Sequence, residues 1–333
     1  KALEKITAEG EVLDVSGQLA TDFTGIVNPT VKDSKMTVTC LKNNNQDDSP
    51  AFTFTDYPNT IFIGNDSVRN GKFSFTFTVP KDISYSNLQG KMNLYAVDTE
   101  SGNEAQGNFD NFIVGGTSDT AETDTIGPEI RALYLNDTTF VDGGQVNTTP
   151  YFVAELWDKS GVNITGSSVG HDMMLVIDES TVLSYNLNSY YELLLGEDGT
   201  GIVKFPIPAL EPGKHTAEFW VWDILNNSTV RTFTFEVVEG LKPFLFDVIA
   251  TPGIAREQVT FHLMHNRPES RMRVGIMVYD LAGRQLWKHE ESGTSGLFEN
   301  YTVSWDLTSG GARMRPGVYI YRAAISTDNS KDA

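Results

Sequence analysis

The 333-residue chain has one cysteine, Cys40, so no internal disulfide can staple it and folding must rest on apolar cores. It is also short of positive charge: 25 Lys and Arg stand against 44 Asp and Glu, a net charge of −19. A nucleic acid needs a basic face, so that class of partner is excluded. No apolar run reaches the ~18 to 20 residues that carry a helix across a bilayer, and no membrane span is expected. Long stretches of helical periodicity are missing as well. There is no HExxH, no CxxC, no G-x-S-x-G and no Gly-rich phosphate loop between a strand and a helix. With no recognisable nucleophile or ligand motif, no catalytic residue and no cofactor are expected.

What fills the chain is alternation. Phe73-Ser74-Phe75-Thr76-Phe77-Thr78-Val79 puts three Phe and a Val on one face of a strand. Tyr151 to Trp157, Thr232 to Val237, Val274 to Tyr279 and Val318 to Ile325 repeat the pattern. Asn70-Gly71, Asp142-Gly143-Gly144, Glu211-Pro212-Gly213 and Ala282-Gly283 supply the turns. Short strands at this spacing predict an all-β chain of three tandem antiparallel immunoglobulin-like β-sandwiches.

Two composition changes divide it. Residues 117–126 are small, polar and acidic, as a linker should be, and offer nothing to bury. Near residue 240 the charge changes: 128–240 hold 5 Lys and Arg against 16 Asp and Glu, whereas 241–333 hold 11 against 10. The expected domains are therefore 1–116, 127–239 and 241–333.

Candidate sites are few. Cys40 lies in the alternating run Met36 to Leu41 and reads as a small buried hydrophobe. Glu155-Leu156-Trp157-Asp158 and Trp220-Val221-Trp222-Asp223 echo each other, each Asp opening a turn closed by Asn. Asp turn chemistry explains the motif without a ligand. If a cation is held there, it is Ca²⁺ with Asp158, Asn163 and Asp223 as candidate ligands, although the EF-hand spacing is absent. His262 and His265 fall on opposite faces of one strand and do not form a metal pair. His171-Asp172 has the composition of a base and its orienting carboxylate, or of a turn whose His packs against a strand end. Trp157, Trp220 and Trp222 read as core aromatics, and Trp287 and Trp305 as the bulk of the third core.

Several runs carry a resemblance. Phe62-Ile63-Gly64-Asn65-Asp66-Ser67-Val68-Arg69-Asn70-Gly71-Lys72-Phe73, Val79 to Tyr85, Gly90 to Ala96, Gly127-Pro128-Glu129-Ile130 and Asp158 to Asn163 followed by Gly170-His171-Asp172 resemble, in order and spacing, the gingipain-like, PorU-type sortases of the bacterial type IX secretion system. The region resembled is the one that follows the peptidase domain. Val278 to Arg284, Trp305-Asp306-Leu307 and Pro316 to Arg322 resemble a FlgD-like or sorting-tail sandwich. The resemblance implies a cysteine-peptidase parent that processes C-terminal signals of secreted cargo, with its Cys and His upstream of Lys1. It implies a location on the extracellular face of the outer membrane, and partners among other secretion or attachment proteins. Asp119-Thr120-Ala121 and Asp124-Thr125-Ile126 resemble bacterial O-glycosylation sites, with Thr120 and Thr125 as acceptors. A sorting-tail sandwich closes on one more Lys-aliphatic strand than this chain shows. The third domain is therefore expected to present an open edge and to self-associate. The competing readings are a surface adhesin or glycan-binding protein and, weakest, a hydrolase using carboxylates of the middle domain.

Overall fold

A computed structural model describes residues 1–42, 50–119, 123–166, 170–194, 199–297 and 299–327. The chain is all-β: the described residues contain no α-helix and one short 3₁₀ turn, Asn188–Tyr190. Pairing is antiparallel in every strand pair given a register except one. Gln145–Val146 runs parallel to Glu236 and Val237. The chain forms two compact units, one of 1–133, 153–205 and 216–233, the other of 134–152, 206–215 and 234–333.

In the first unit, one sheet has the order Glu104–Phe109, Lys91–Asp98, Gly25–Lys32, Thr60–Ile63, with Asp66–Val68 also on Gly25–Lys32. Lys5–Glu11 and Lys72–Thr78 form a ribbon whose register places Ile6 opposite Phe77, Ala8 opposite Phe75 and Gly10 opposite Phe73. The alternation of that segment is realised directly, since Phe73, Phe75 and Phe77 are buried while Ser74 and Thr76 are exposed. Their core includes Val27, Val31, Ile61 and Ala96 from the larger sheet. Gly10 is required by packing: a Cβ there would lie 2.2 Å from the Phe73 ring.

Farther along the chain, one sheet has the order Glu129–Leu135, Tyr151–Trp157, Thr200–Pro206, Tyr191–Leu193. Another has the order Gln145–Val146, Ser228–Val237, Gly213–Trp222, Met174–Ile177, Ser184–Asn186. Phe152, Leu156, Leu175, Ile177 and Phe219 are fully buried. In the second unit, two three-stranded sheets, Leu245–Thr251/Val259–His265/Tyr301–Trp305 and Gln285–Gly293/Met272–Tyr279/Ile320–Thr327, enclose Phe261, Leu263, Val274, Ile276 and Trp305. Trp287 and Trp305 stack at 4.7 Å, the aromatic bulk expected of this core.

Four expectations need correction. Cys40 is exposed: among the described residues Met36–Thr39 pairs only with Thr53–Asp56, in a two-stranded ribbon outside the core cluster. Trp220 and Trp222 do share a face, but it is the half-exposed one; Ala217, Phe219 and Val221 take the core side. The alternating run Val318 to Ile325 forms a strand only from Ile320, and that strand lies at a sheet edge among the described residues. Val318 and Ile320 are exposed, and only the face of Tyr319, Ala323 and Ile325 packs on the core. Finally, the 117–126 segment is not bare. Its Ser118 N–H donates to the Ala2 carbonyl, and Asp124 is half-buried and bonded. The expected missing strand and Thr120 lie outside the described residues.

Candidate functional site

Two polar clusters lie inside the first unit. The first is built on local turn chemistry. Trp157 and Trp222 each end a strand, and the following Asp folds back on its own turn. Asp158 Oδ1 accepts from the N–H groups of Ser160 at 2.7 Å and Gly161 at 2.9 Å. Asp223 Oδ1 accepts from Leu225 at 2.9 Å and Asn227 at 2.7 Å, and Asn227 Nδ2 donates to Asp223 Oδ2. A bridge between Val162 and Asp223 brings the two turns side by side. Asp124 then enters from the 117–126 segment: its carboxylate accepts from Ser160 Oγ at 2.8 Å, and its carbonyl from Asn227 Nδ2 at 3.1 Å.

Oxygens of Asp124, Asp158 and Asp223 lie within 4.8 Å of one another. Three carboxylates that close cannot all ionise freely in a buried setting. Burial pushes Asp158 up to about 6, against the turn amides of Gly161 and Ser160 and with the help of Asp223 and Asp124. Burial also raises Asp223, and Asp124 adds to it. Asp124 is held below its ordinary value by the Ile126 N–H first and the Ser160 hydroxyl second. The cluster therefore keeps a proton on Asp158 up to about pH 6, or offers three hard oxygens to a divalent cation. Tyr191 stands nearby, its hydroxyl pushed up by burial and by Asp158.

Asn163, the remaining candidate ligand, is not in this cluster. Its Oδ1 accepts from the Thr165 N–H and hydroxyl at 3.0 and 2.8 Å. Its Nδ2 points to Asp82 at 3.4 Å, which places it in the second cluster.

That second cluster centres on Asp82, which is 9% exposed. Asp82 Oδ2 lies 2.7 Å from His171 Nδ1, and Oδ1 accepts from Asn226 Nδ2 at 2.9 Å. The Lys81 N–H donates to the Ile224 carbonyl beside it. His171 lies against Trp222 with ring centroids 4.5 Å apart. The histidine thus has a carboxylate partner, but it is Asp82, 89 residues away, and not its neighbour Asp172. Asp172 accepts instead from Asn188 Nδ2 at 2.7 Å. The arrangement ties the 81–82 segment to Asn163, His171 and the 224–226 turn.

In the second unit His265 and Ser295 are 2.7 Å apart, the spacing of a base and nucleophile. His265 Nδ1 accepts from the Arg267 N–H at 3.0 Å, so its proton sits on Nε2 and is donated to the serine. A base must accept that proton, and this tautomer does not. His262 is turned to Thr251 at 2.8 Å, and the two histidines share no partner. Thr125 is exposed.

No protein-family model and no curated protein matches the chain. Among solved structures it is similar to dimeric latent PorU from Porphyromonas gingivalis, with 38% identity, covering 99% of this chain and 30% of that one, TM-score 0.42. The FN1–FN3 domains of chicken CNTN1 align over 97% of this chain and 93% of theirs, at 8% identity and a TM-score of 0.24. A tetra-tandem repeat from the extending region of a large adhesion protein aligns over 98% of this chain and 71% of its own, at 14% identity and a TM-score of 0.18. The chain spans about a third of the length of the PorU chain it resembles.

Proposed function

We propose that this chain is a non-catalytic structural and docking part of a PorU-type cysteine-peptidase sortase, displayed on the extracellular face of the outer membrane. The observation that carries the reading is sequence identity of 38% extending over 99% of the chain. Identity at that level along a whole segment goes beyond the shared architecture that sandwiches of unrelated sequence have. The polar clusters support it, because Asp82 and the turn aspartates spend their hydrogen bonds holding loops together. In this reading the peptidase lies elsewhere in the parent, and these residues contact other secretion or attachment proteins.

The test uses a peptide ending in a type IX sorting tail. Residues 1–333 alone are expected to leave it intact, and the same residues joined to the peptidase domain proposed for the parent are expected to cleave it through a Cys. Cleavage by the chain alone, or an upstream sequence with no Cys/His peptidase, would refute the proposal.

A further inference from the structure

The solvent face of the first large sheet carries an unusual set of side chains. Strand registers align Asn28, Tyr95 and Gln106 in one row across Gly25–Lys32, Lys91–Asp98 and Glu104–Phe109. The next row is Thr30, Asn93 and Asn108. The opposite face of the same strands buries Val27, Val31 and Ala96, so all six side chains point to solvent. Strands lie about 4.8 Å apart and same-face residues about 7 Å apart, so the six form one compact plane.

Four of the six are amides, and none of Asn28, Asn93, Gln106 and Asn108 has a side-chain partner among the described residues. Each amide presents a donor and an acceptor on one edge. Tyr95 is 36% exposed, and its hydroxyl lies beside the Glu104 carboxylate at the end of the patch. Charge is kept to the margins, with Lys32 and Lys91 at one end and, at the other, Glu104 in a row with the part-buried Ile26 and Val97. The centre has no Leu, Ile, Val or Phe to anchor a protein partner and no cation to hold an anion.

A neutral plane of amides around one aromatic ring suits a ligand with many hydroxyls and an apolar C–H face. Vicinal hydroxyls take paired donor and acceptor contacts from an amide, and the ring packs on the C–H face. We propose that this face binds a neutral oligosaccharide, with Tyr95 as the stacking platform and Asn28, Asn93, Gln106 and Asn108 as the hydroxyl readers. This site is separate from the docking role proposed above and stands whether or not that reading holds.

Affinity electrophoresis tests it with the full chain in native gels cast separately with xylan, α-mannan, dextran and β-glucan, and with alginate as the charged comparison. At least one neutral polysaccharide is expected to retard the chain. Tyr95→Ala and Gln106→Leu should each weaken that retardation roughly tenfold, the order of one lost stacking or hydrogen-bonding contact. Trp220→Phe, on another sheet, should leave it unchanged. If Tyr95→Ala shifts the thermal transition, Gln106→Leu decides, because that side chain is exposed and unpartnered. Retardation by none of the four, retardation by alginate alone, full binding by Gln106→Leu, or loss on Trp220→Phe would each overturn the proposal.

Discussion

Replacing Asp158 by Asn should stabilise the protein, and the gain should grow with pH. Asp158 is 6% exposed and its carboxyl is pushed up to about 6, mainly by burial. An unfolded aspartate titrates near ~3.9. Between those values the folded chain holds a proton that the unfolded chain has released, so stability falls as pH rises through that window. Above it the full penalty persists, about 3 kcal/mol for a difference of about two pKa units. Asn keeps an Oδ1 that can accept from Ser160 and Gly161 and removes the charge, so most of that penalty should return as stability. The advantage should be about 2 to 3 kcal/mol at pH 8 and below about 1 kcal/mol at pH 4.5. Urea unfolding followed by tryptophan fluorescence in chelator measures it, since Trp157 adjoins the site. A gain independent of pH, or a loss at pH 8, would refute the assignment of buried repulsion to this turn. Millimolar calcium is expected to leave the wild type unmoved, because turn amides engage Oδ1 of Asp158 and of Asp223, and side chains of Asn227 and Ser160 already bond Asp223 Oδ2 and Asp124 Oδ2. A rise confined to the wild type would instead assign the cluster to cation binding.

Asp82→Ala strands the His171 and Asn226 donors and should cost about 2 to 4 kcal/mol; a double-mutant cycle with His171→Ala should show coupling above ~0.5 kcal/mol. Gly10→Ala drives a methyl into the Phe73 ring and should cost about 1 to 3 kcal/mol in the same unfolding assay. Arg267 is buried, its guanidinium donating to the Leu241 and Lys242 carbonyls, and burial pulls its pKa down to about 10. Arg267→Met should cost about 2 to 4 kcal/mol and speed proteolysis near residue 240. The strand Ile320–Thr327, at a sheet edge among the described residues and with Val318 and Ile320 exposed, should drive concentration-dependent association in light scattering, reduced by Ile320→Lys.

These sites differ in how far they could be read from the chain. Phe73, Phe75 and Phe77 were legible because strand alternation is a local property, with period two in the sequence and in the burial. The turns at Asp158 and Asp223 were legible for the same reason, since an Asp reaches amides only a few residues ahead. Trp220 and Trp222 show where this stops. Their shared face follows from alternation, but which face meets the core depends on Phe219 and Val221, and both faces carry apolar residues.

Long-range partners left no trace. Asp82 meets residues 89 and 144 positions away, and its surroundings in sequence mark only a loop. Asp124 sits in a segment whose composition reads as solvated linker, yet its carboxylate and carbonyl bind two turns of another part of the chain. A small acidic residue suits both roles, and only closure of the surrounding sheets decides between them.

The amide plane is the extreme case. Asn28, Asn93, Gln106 and Asn108 are each ordinary polar residues on the exposed side of a strand, and none invites attention singly. Asparagine is disfavoured in strands, because its side chain competes for backbone hydrogen bonds. Three of them and a glutamine on one face therefore carry a folding cost that threonine or lysine would avoid. Register alone brings them into two adjoining rows around Tyr95. Stability gives no reason for that choice, since the core beneath is complete with Val27, Val31 and Ala96. A face whose asparagines weaken its own strands and find no side-chain partner among the described residues is what the proposed oligosaccharide site would account for.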